Sequence, residues 1–332
     1  MEPQALPTEH LTACPICQHP QSTIVWTQPE AYIREGLCLH RCEGCEQVYL
    51  NPRLTMESTT ILENQSEVYD YSLEEEKPLI CFRGDALQHI EAFAGFEKPG
   101  RILDIGCNRG LLLVAARERG WQPVGVELSP VAADVARKRY NLEVYNDDAI
   151  IKTLEPFDLI TCWHVLEHLH KPVELLRDLA SYLKPNGVLA LQVPTYQFRD
   201  QFIERNQSGS LLCSVHTMYY TAASLSRILA QAGLSVFYSD ESPDSLMLTI
   251  YASLPQYQVA RLEQYQTLYQ RPQVNPISEP VVVTIESPEQ KTYIATLESA
   301  LDQKNRHISH LEQQIRALES GKIMRWLKRF QG

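Results

Sequence analysis

The sequence predicts an α/β protein whose centre is a doubly wound, largely parallel sheet that begins near residue 100. Three observations predict it. Short apolar runs alternate with helical patterns across residues 98–254. The first run ends in a glycine-containing turn, LDIGCNRG. The last two runs are joined only by the short polar link SDESPDS, which suits a hairpin and makes that final pair antiparallel.

The elements follow in order. Residues 101–106 form a first strand closed by Gly106, and residues 111–119 a helix stopped by Gly120. A second strand covers 123–128. Ser129 then caps a helix with Pro130 in its first turn. Strands at 142–145 and 157–162 follow. A helix over 172–183 ends at Lys184-Pro185-Asn186-Gly187, and a fifth strand at 188–193 is apolar on both faces. After a helix at 224–232 come the strands 234–238 and 246–252, making seven in all.

Around this core the composition changes. Residues 10–52 hold two CxxC pairs among turn formers, and 53–97 read as a helical connector or cap with an acidic stretch. Residues 255–289 are a Gln/Pro/Glu-rich linker, 290–320 a coiled coil and 321–332 a basic amphipathic tail. With 332 residues, 44% of them hydrophobic, the chain can bury a full-sized core and smaller units. No apolar run approaches the roughly 20 residues of a membrane span. The start, MEPQALPTEH, lacks the pattern of a signal peptide, so a cytoplasmic protein is expected. A net charge of −11 argues against a nucleic-acid partner, which would call for many phosphate-neutralising Lys and Arg.

Parallel α/β sheets bind ligands beyond the carboxyl ends of their strands. The first such loop is Asp104-Ile105-Gly106-Cys107-Asn108-Arg109-Gly110, where small residues let the backbone approach a ligand. Glu127 ends the second strand, where a carboxylate can accept from both hydroxyls of a ribose. Asp147-Asp148-Ala149 follows the third, where an aspartate can bond an adenine amino group. Gly106-x-Asn108-x-Gly110 matches neither the GxGxxG dinucleotide fingerprint nor a Walker loop.

LDIGCNRG, VGVELSP, NDDA and FDLITCWHVLEHL, in that order, resemble successive motifs of class I S-adenosylmethionine (SAM)-dependent methyltransferases. The fourth resembles the vLEH signature of a small-molecule branch, as does the segment at 214–236. The resemblance implies a seven-stranded Rossmann-like sheet with its last strand antiparallel. It also implies that Asp104, Gly106 and Gly110 cradle the methionine part of SAM and that Glu127 holds the ribose. Asp148 and Ala149 would flank the adenine, and Trp163 and His164 would line the pocket wall. Asn108 stands where the family often has glycine. Tyr69 and Tyr71 would fold over the cofactor from the N-terminal side, as similar tyrosines do in the family.

Cys14-x-x-Cys17 and Cys42-x-x-Cys45 are two knuckles of the kind that close a tetrahedral, structural Zn²⁺ site. Cys38, His19 and His40 lie near enough in sequence to replace one ligand. Residues 42–53 resemble the small zinc-binding module that precedes the core of some sugar C-methyltransferases.

Methyl transfer needs a base only if the acceptor must lose a proton. The candidates are His164, His168, Tyr196, His216, Tyr219 and Tyr220. His216 is preferred, with His164 second, because His216 lies among aromatic residues in the insertion after the fifth strand. In the C-terminal arm, Ile294, Leu301, Ile308 and Ile315 alternate with Leu297, Lys304, Leu311 and Leu318 in an a/d seam that predicts a parallel homodimer. Beyond it, Trp326 and Phe330 with Lys322, Arg325, Lys328 and Arg329 suit peripheral contact with an anionic membrane face. The function expected is SAM-dependent methylation of a small-molecule or glycan-type acceptor, in sugar or surface-polysaccharide biosynthesis. An RNA methyltransferase and a non-catalytic methyltransferase-like scaffold are the alternatives.

Overall fold

The structure is a computed structural model that describes residues 6–27, 36–65, 73–205, 211–242 and 246–258. By its contacts the chain divides into Met1–Arg271 and Pro272–Gly332. Tyr69, Tyr71, the coiled coil and the basic tail lie outside the described residues.

In chain order, β1 (Thr8–Glu9), β2 (Ser22–Trp26), β3 (Leu39–Cys42), β4 (Val48–Leu50) and β5 (Arg53–Leu54) precede α1 (Met56–Gln65) and α2 (Leu73–Ala94). The alternating part is β6 (Arg101–Ile105), α3 (Leu111–Glu118), β7 (Gln122–Val126), α4 (Pro130–Tyr140), β8 (Glu143–Tyr145), β9 (Phe157–Trp163) and α5 (Pro172–Tyr182). It continues with β10 (Leu183–Pro194), α6 (Arg199–Glu204), β11 (Met218–Tyr219), α7 (Ala222–Gln231), β12 (Ser235–Ser242) and β13 (Met247–Ser253).

The main sheet has seven strands in the order β12-β13-β10-β9-β6-β7-β8. β6, β7, β8, β9 and β10 are mutually parallel, and β13 runs against both of its neighbours, β10 and β12. The expected seven strands and the antiparallel last strand are therefore present. The chain winds outward from β6 to β8 and then returns to β9 on the other side of β6. That reversal places a crevice between the carboxyl ends of β6 and β9.

Alternation along the strands supplies two apolar faces. Leu103, Ile105, Ile160, Cys162, Leu189 and Leu191 cluster with Leu176 and Leu179 of α5 and Leu225 and Ile228 of α7. Ile102, Leu159, Val188 and Ala190 cluster with Leu87, Ile90 and Ala94 of α2 and with Leu112 and Ala116 of α3. Helix α2 is thus a layer of the core, although it precedes the first strand of the main sheet.

Local chemistry sets the helix ends. Ser129 Oγ accepts from Ala132 N at 3.4 Å, and Asn141 closes α4 in the left-handed conformation. Thr221 and Ser224 form a capping box on α7. Most element ends differ from the sequence reading by a few residues, and the start of β10 differs most. β10 starts at Leu183, which pairs with Phe157 before a register shift to Val188. Gly187 permits this bend, because a Cβ there would stand 3.0 Å from Leu183, Lys184 and Phe157 atoms.

The N-terminal strands do not stand apart from this core. β2, β3 and β4 form a second sheet completed by β11, in the order β11-β4-β3-β2. Gln47, buried, donates from Nε2 to Val48 O and Tyr219 O, each at 2.8 Å. The free edge of β4 is thereby covered by the insertion that follows β10. Cys14, Cys42 and Tyr49 share an apolar cluster with the central strands. Among the described residues no helix is long and apolar enough to cross a membrane.

Candidate functional site

The turn after β6 is built from alternating left-handed residues, with φ of 69° at Gly106, 49° at Asn108 and 78° at Gly110. Gly106 N and Cys107 N both donate to Val126 O, at 2.8 and 3.1 Å, which ties the turn to the end of β7. A Cβ on Gly106 would meet Val165 Cγ2 at 2.5 Å, and one on Gly110 would meet Leu142 Cδ1 at 2.5 Å. Asparagine at 108 is explained by the same geometry, since Asn enters the left-handed region more readily than most residues. Its Oδ1 accepts from Arg109 N at 2.7 Å.

Glu127 stands beside this turn. Its carboxylate accepts from Asn108 N at 2.8 Å and from Ser129 N at 2.7 Å. An ionised carboxylate has about four acceptor sites, so two remain for a ligand. Asn146 Nδ2 donates to Glu127 O at 2.8 Å and braces the strand end.

The crevice between β6 and β9 is a cavity of about 340 Å³. Asp104, Gly106, Asn108, Trp163 and His164, all singled out from the sequence, line it. Asp104 is buried and accepts from Thr161 Oγ1 at 2.7 Å. Burial pushes its carboxyl up to about 7, against the lowering effects of Thr161 and of the Arg83 charge. Arg83 also lines the cavity, with its guanidinium 4.8 Å from the centre of the Trp163 ring. Trp163 Nε1 is buried without a hydrogen-bond partner among the described residues.

Arg109, at the cavity wall, makes an ion pair of 2.7 Å with Glu76 of α2. The Glu76 side chain is fully buried and also takes Arg139 at 3.0 Å and the Tyr140 hydroxyl. The N-terminal part of α2 is thus latched to the glycine turn after β6 and to the end of α4.

Gly110 and Asp148, also singled out from the sequence, are not among the residues that line this cavity. Gly110 forms the turn below it and caps α3. Asp148 opens a 3-10 turn, Asp148–Thr153, where Asp147 Oδ1 accepts from Ala149 N at 2.8 Å. His164, at the end of β9, has a φ of 57° and faces Glu167, Nδ1 to Oε1 at 3.4 Å. His216 is buried elsewhere: its Nδ1 donates to Leu211 O at 2.7 Å, and burial lowers its pKa to about 4. It lies beside Glu167 and His168 rather than on the cavity wall.

Sequence reasoning missed Arg83, Glu76 and Glu167 as site residues. Arg83 and Glu76 belong to a helix far from the motifs in sequence, and no local pattern marks them. Glu167 was visible inside the LEH triplet, but its role depends on which side chains fold against it.

The cysteine pairs do meet. Cys14 Sγ lies 3.6 Å from Cys45 Sγ and Cys17 Sγ 3.5 Å from Cys42 Sγ, and all four sulfurs are within 4.8 Å of one another. A tetrahedral ion with bonds near 2.3 Å would space its sulfurs by about 3.8 Å. The knuckles repeat each other: Gln18 N donates to Cys14 O and Glu46 N to Cys42 O, with φ of 61° at both Gln18 and Glu46. Ile16 N and Gly44 N point at Cys14 Sγ and Cys42 Sγ, at 3.4 and 3.3 Å. Cys38, His19 and His40 are outside this group of four.

Residues 81–239 match the model of a family described as a methyltransferase domain. The chain is 34% identical over 125 residues to the ubiquinone biosynthesis O-methyltransferase of Xanthomonas campestris pv. campestris, covering 35% of this chain and 52% of that one. It is 30% identical over 130 residues to the protein of the same name in Coxiella burnetii, covering 37% and 55%. The chain therefore spans about half the length of these curated relatives. The magnesium protoporphyrin IX methyltransferase of Synechocystis PCC 6803, solved with bound SAH, aligns with a TM-score of 0.44 at 14% identity, over 60% of this chain and 95% of that one.

Proposed function

We propose that this chain is a SAM-dependent methyltransferase acting on a hydroxyl of a small-molecule acceptor, with a structural Zn²⁺ in its N-terminal part. The observation that carries the reading is Glu127. Its carboxylate is fixed by two backbone N–H groups at the edge of a glycine turn, beside the crevice where the sheet order reverses. Two lone pairs remain, which suits the two hydroxyls of a ribose.

When bound, SAM supplies a sulfonium methyl carbon, and the electron pair of the breaking C–S bond returns to sulfur. The chain's own residues bind, orient and exclude water. Gly106 and Asn108 let the backbone approach the ligand. Arg83 offers a guanidinium to a carboxylate, and Asp104 a carboxyl to positive charge. Asp147 orders the turn at Asp148 and Ala149 against the adenine side. His164 reaches the cavity and is oriented through Nδ1 by Glu167, so it is the general base where the acceptor must lose a proton. His216, buried and held neutral, positions groups rather than taking that proton.

Cys14, Cys17, Cys42 and Cys45 would hold Zn²⁺, and four thiolates leave no open position for water. The O-methyltransferase names of the relatives favour an oxygen acceptor. The resemblance of residues 42–53 to a module of sugar C-methyltransferases makes a sugar nucleotide the first acceptor to assay. The heptads of 290–320 supply a homodimer contact and the tail of 321–332 a membrane-surface contact. Light scattering of a chain ending at residue 285 should show a monomer, and a persisting dimer would place the contact elsewhere.

Calorimetric titration with SAM and with S-adenosylhomocysteine tests the main reading. Glu127→Ala should weaken both by roughly ten-fold or more, since a hydrogen bond to a charged group contributes about 1.5–3 kcal/mol. Unchanged affinity in the folded variant, or no binding by the wild type, would overturn it.

A further inference from the structure

We propose that Gln47 is a positioning residue that couples the zinc knuckle at Cys42 and Cys45 to residues 213–220. That segment braces Glu167 and, through it, His164. The inference rests on the zinc and methyltransferase readings above and gives the N-terminal ion a use, which is order behind the cavity wall.

Gln47 belongs to both sides of the seam. It stands two residues beyond Cys45, and its main chain closes the second knuckle. Cys42 N donates to Gln47 O at 3.0 Å, and Gln47 N donates to the Cys45 thiol. Its side chain leaves the knuckle, and Nε2 donates to Val48 O and to Tyr219 O, the latter 172 residues away in sequence. The residue is 1% exposed. Two carbonyl acceptors take both N–H bonds of an amide, which a carboxylate of the same shape cannot supply.

The contact sits in a wider seam. β4 follows Gln47 directly and pairs with β11, Tyr49 against Met218 and Val48 against Tyr219. Leu50 N donates to Thr217 O at 3.0 Å. Met218 and Tyr49 are buried in one cluster with Cys14 and Cys42.

From this seam the ties run on to the cavity. Thr217 N donates to Glu167 O and Thr217 Oγ1 to Leu169 O, each at 2.7 Å. The Tyr220 hydroxyl donates to Leu166 O at 3.0 Å. These three bonds hold the 3-10 turn Leu166–His168 and the residue after it. Glu167 Oε1 faces His164 Nδ1 at 3.4 Å, and His164 lines the cavity.

Metal binding supplies folding free energy to such knuckles. With the thiolates unbound, the main chain of Gln47 is no longer fixed, and its amide holds Tyr219 O less of the time. A buried carbonyl that loses its donor is costly, so residues 217–220 open more often. The coupling is reciprocal: what the ion contributes to order at 217–220, those residues contribute to its retention.

Hydrogen exchange read by mass spectrometry tests this on the full chain, with zinc counted first by elemental analysis. Stripping zinc from the wild type under reducing conditions should speed exchange at 217–220 by about ten-fold, the factor that goes with losing a buried hydrogen bond. Residues 101–105 should keep their protection, and S-adenosylhomocysteine affinity should hold. Zinc-loaded Gln47→Met should show the same rise at 217–220 without stripping, and stripping should add less to it than to the wild type. Gln47→Asn, with the amide on a shorter stem, takes its place should Gln47→Met not retain zinc. Thr217→Val, far from the cysteines in sequence, should release zinc to a competing chelator several-fold faster. Equal protection at 217–220 in wild type and zinc-loaded Gln47→Met would overturn the coupling and leave the zinc site standing. So would a wild type unchanged by stripping, or unchanged zinc release from Thr217→Val. Wild-type protein without zinc would overturn the zinc reading and this inference together, whereas absent S-adenosylhomocysteine binding would overturn the methyltransferase reading alone.

Discussion

Removing Glu76 should destabilise the protein more than any surface substitution. Its carboxylate is fully buried and faces Arg109 at 2.7 Å, Arg139 at 3.0 Å and the Tyr140 hydroxyl. The Arg109 side chain is itself only 9% exposed, so Glu76→Ala leaves a buried cation whose main counter-charge is gone. Breaking such a pair from one side costs about 3–5 kcal/mol. Arg139 is 27% exposed and can turn to water, which favours the lower figure, about 3 kcal/mol. At about 2–4 °C per kcal/mol for a domain of this size, the melting temperature should fall by roughly 6–12 °C. Thermal melting followed by circular dichroism measures this shift and urea denaturation the free-energy loss, with Glu76→Gln expected between the variant and the wild type. The same latch holds α2 against the cofactor turn, so S-adenosylhomocysteine should also dissociate faster from Glu76→Ala. A loss below about 0.5 kcal/mol, the range of ordinary surface changes, would refute the buried latch.

Asp104 predicts a pH dependence. Its folded pKa, raised to about 7 by burial, exceeds the value of an unfolded carboxylate. Its stabilising contribution is therefore complete below the unfolded pKa and is lost as pH rises through about 7. Melting of the ligand-free protein should show this loss, and Asp104→Asn should remove it. A cationic ligand favours the ionised form, so SAM affinity should rise between pH 6 and 7.5 with proton release on binding; calorimetry in buffers of different ionisation enthalpy checks this, and a flat profile would count against the placement of Asp104. Zinc should be present at about one ion per chain by elemental analysis, and Cys42→Ser should lose it and destabilise residues 10–52, because metal binding is part of their folding free energy. A metal-free, well-folded preparation would rule that site out.

Much of this molecule was legible in the sequence because its determinants are local. Strand and helix periods at 101–252, the glycine at the end of the first strand and the serine cap before Pro130 each act through a few neighbouring residues. The same holds for the turn chemistry of Gly106 and Gly110 and for the CxxC knuckles, whose spacing brings two thiols together whatever surrounds them. Asp104, Gly106 and Asn108 were found in the loop after the first strand, where a parallel sheet presents its ligand crevice, whereas Trp163 and His164 came from the resemblance to methyltransferase motifs.

What tertiary structure decided is which distant segments meet. Helix α2 carries no motif, yet it supplies Arg83 to the cavity and Glu76 to the buried latch. β11 completes the N-terminal sheet from an insertion more than a hundred residues away, with Met218 against Tyr49. His216 looked like a base beside aromatic residues, but folding buries it, turns its Nδ1 to Leu211 and sets it against Glu167. Sequence periodicity fixes the face a residue presents; burial and partners depend on long-range packing, and for ionisable groups those decide the protonation state and hence the chemistry.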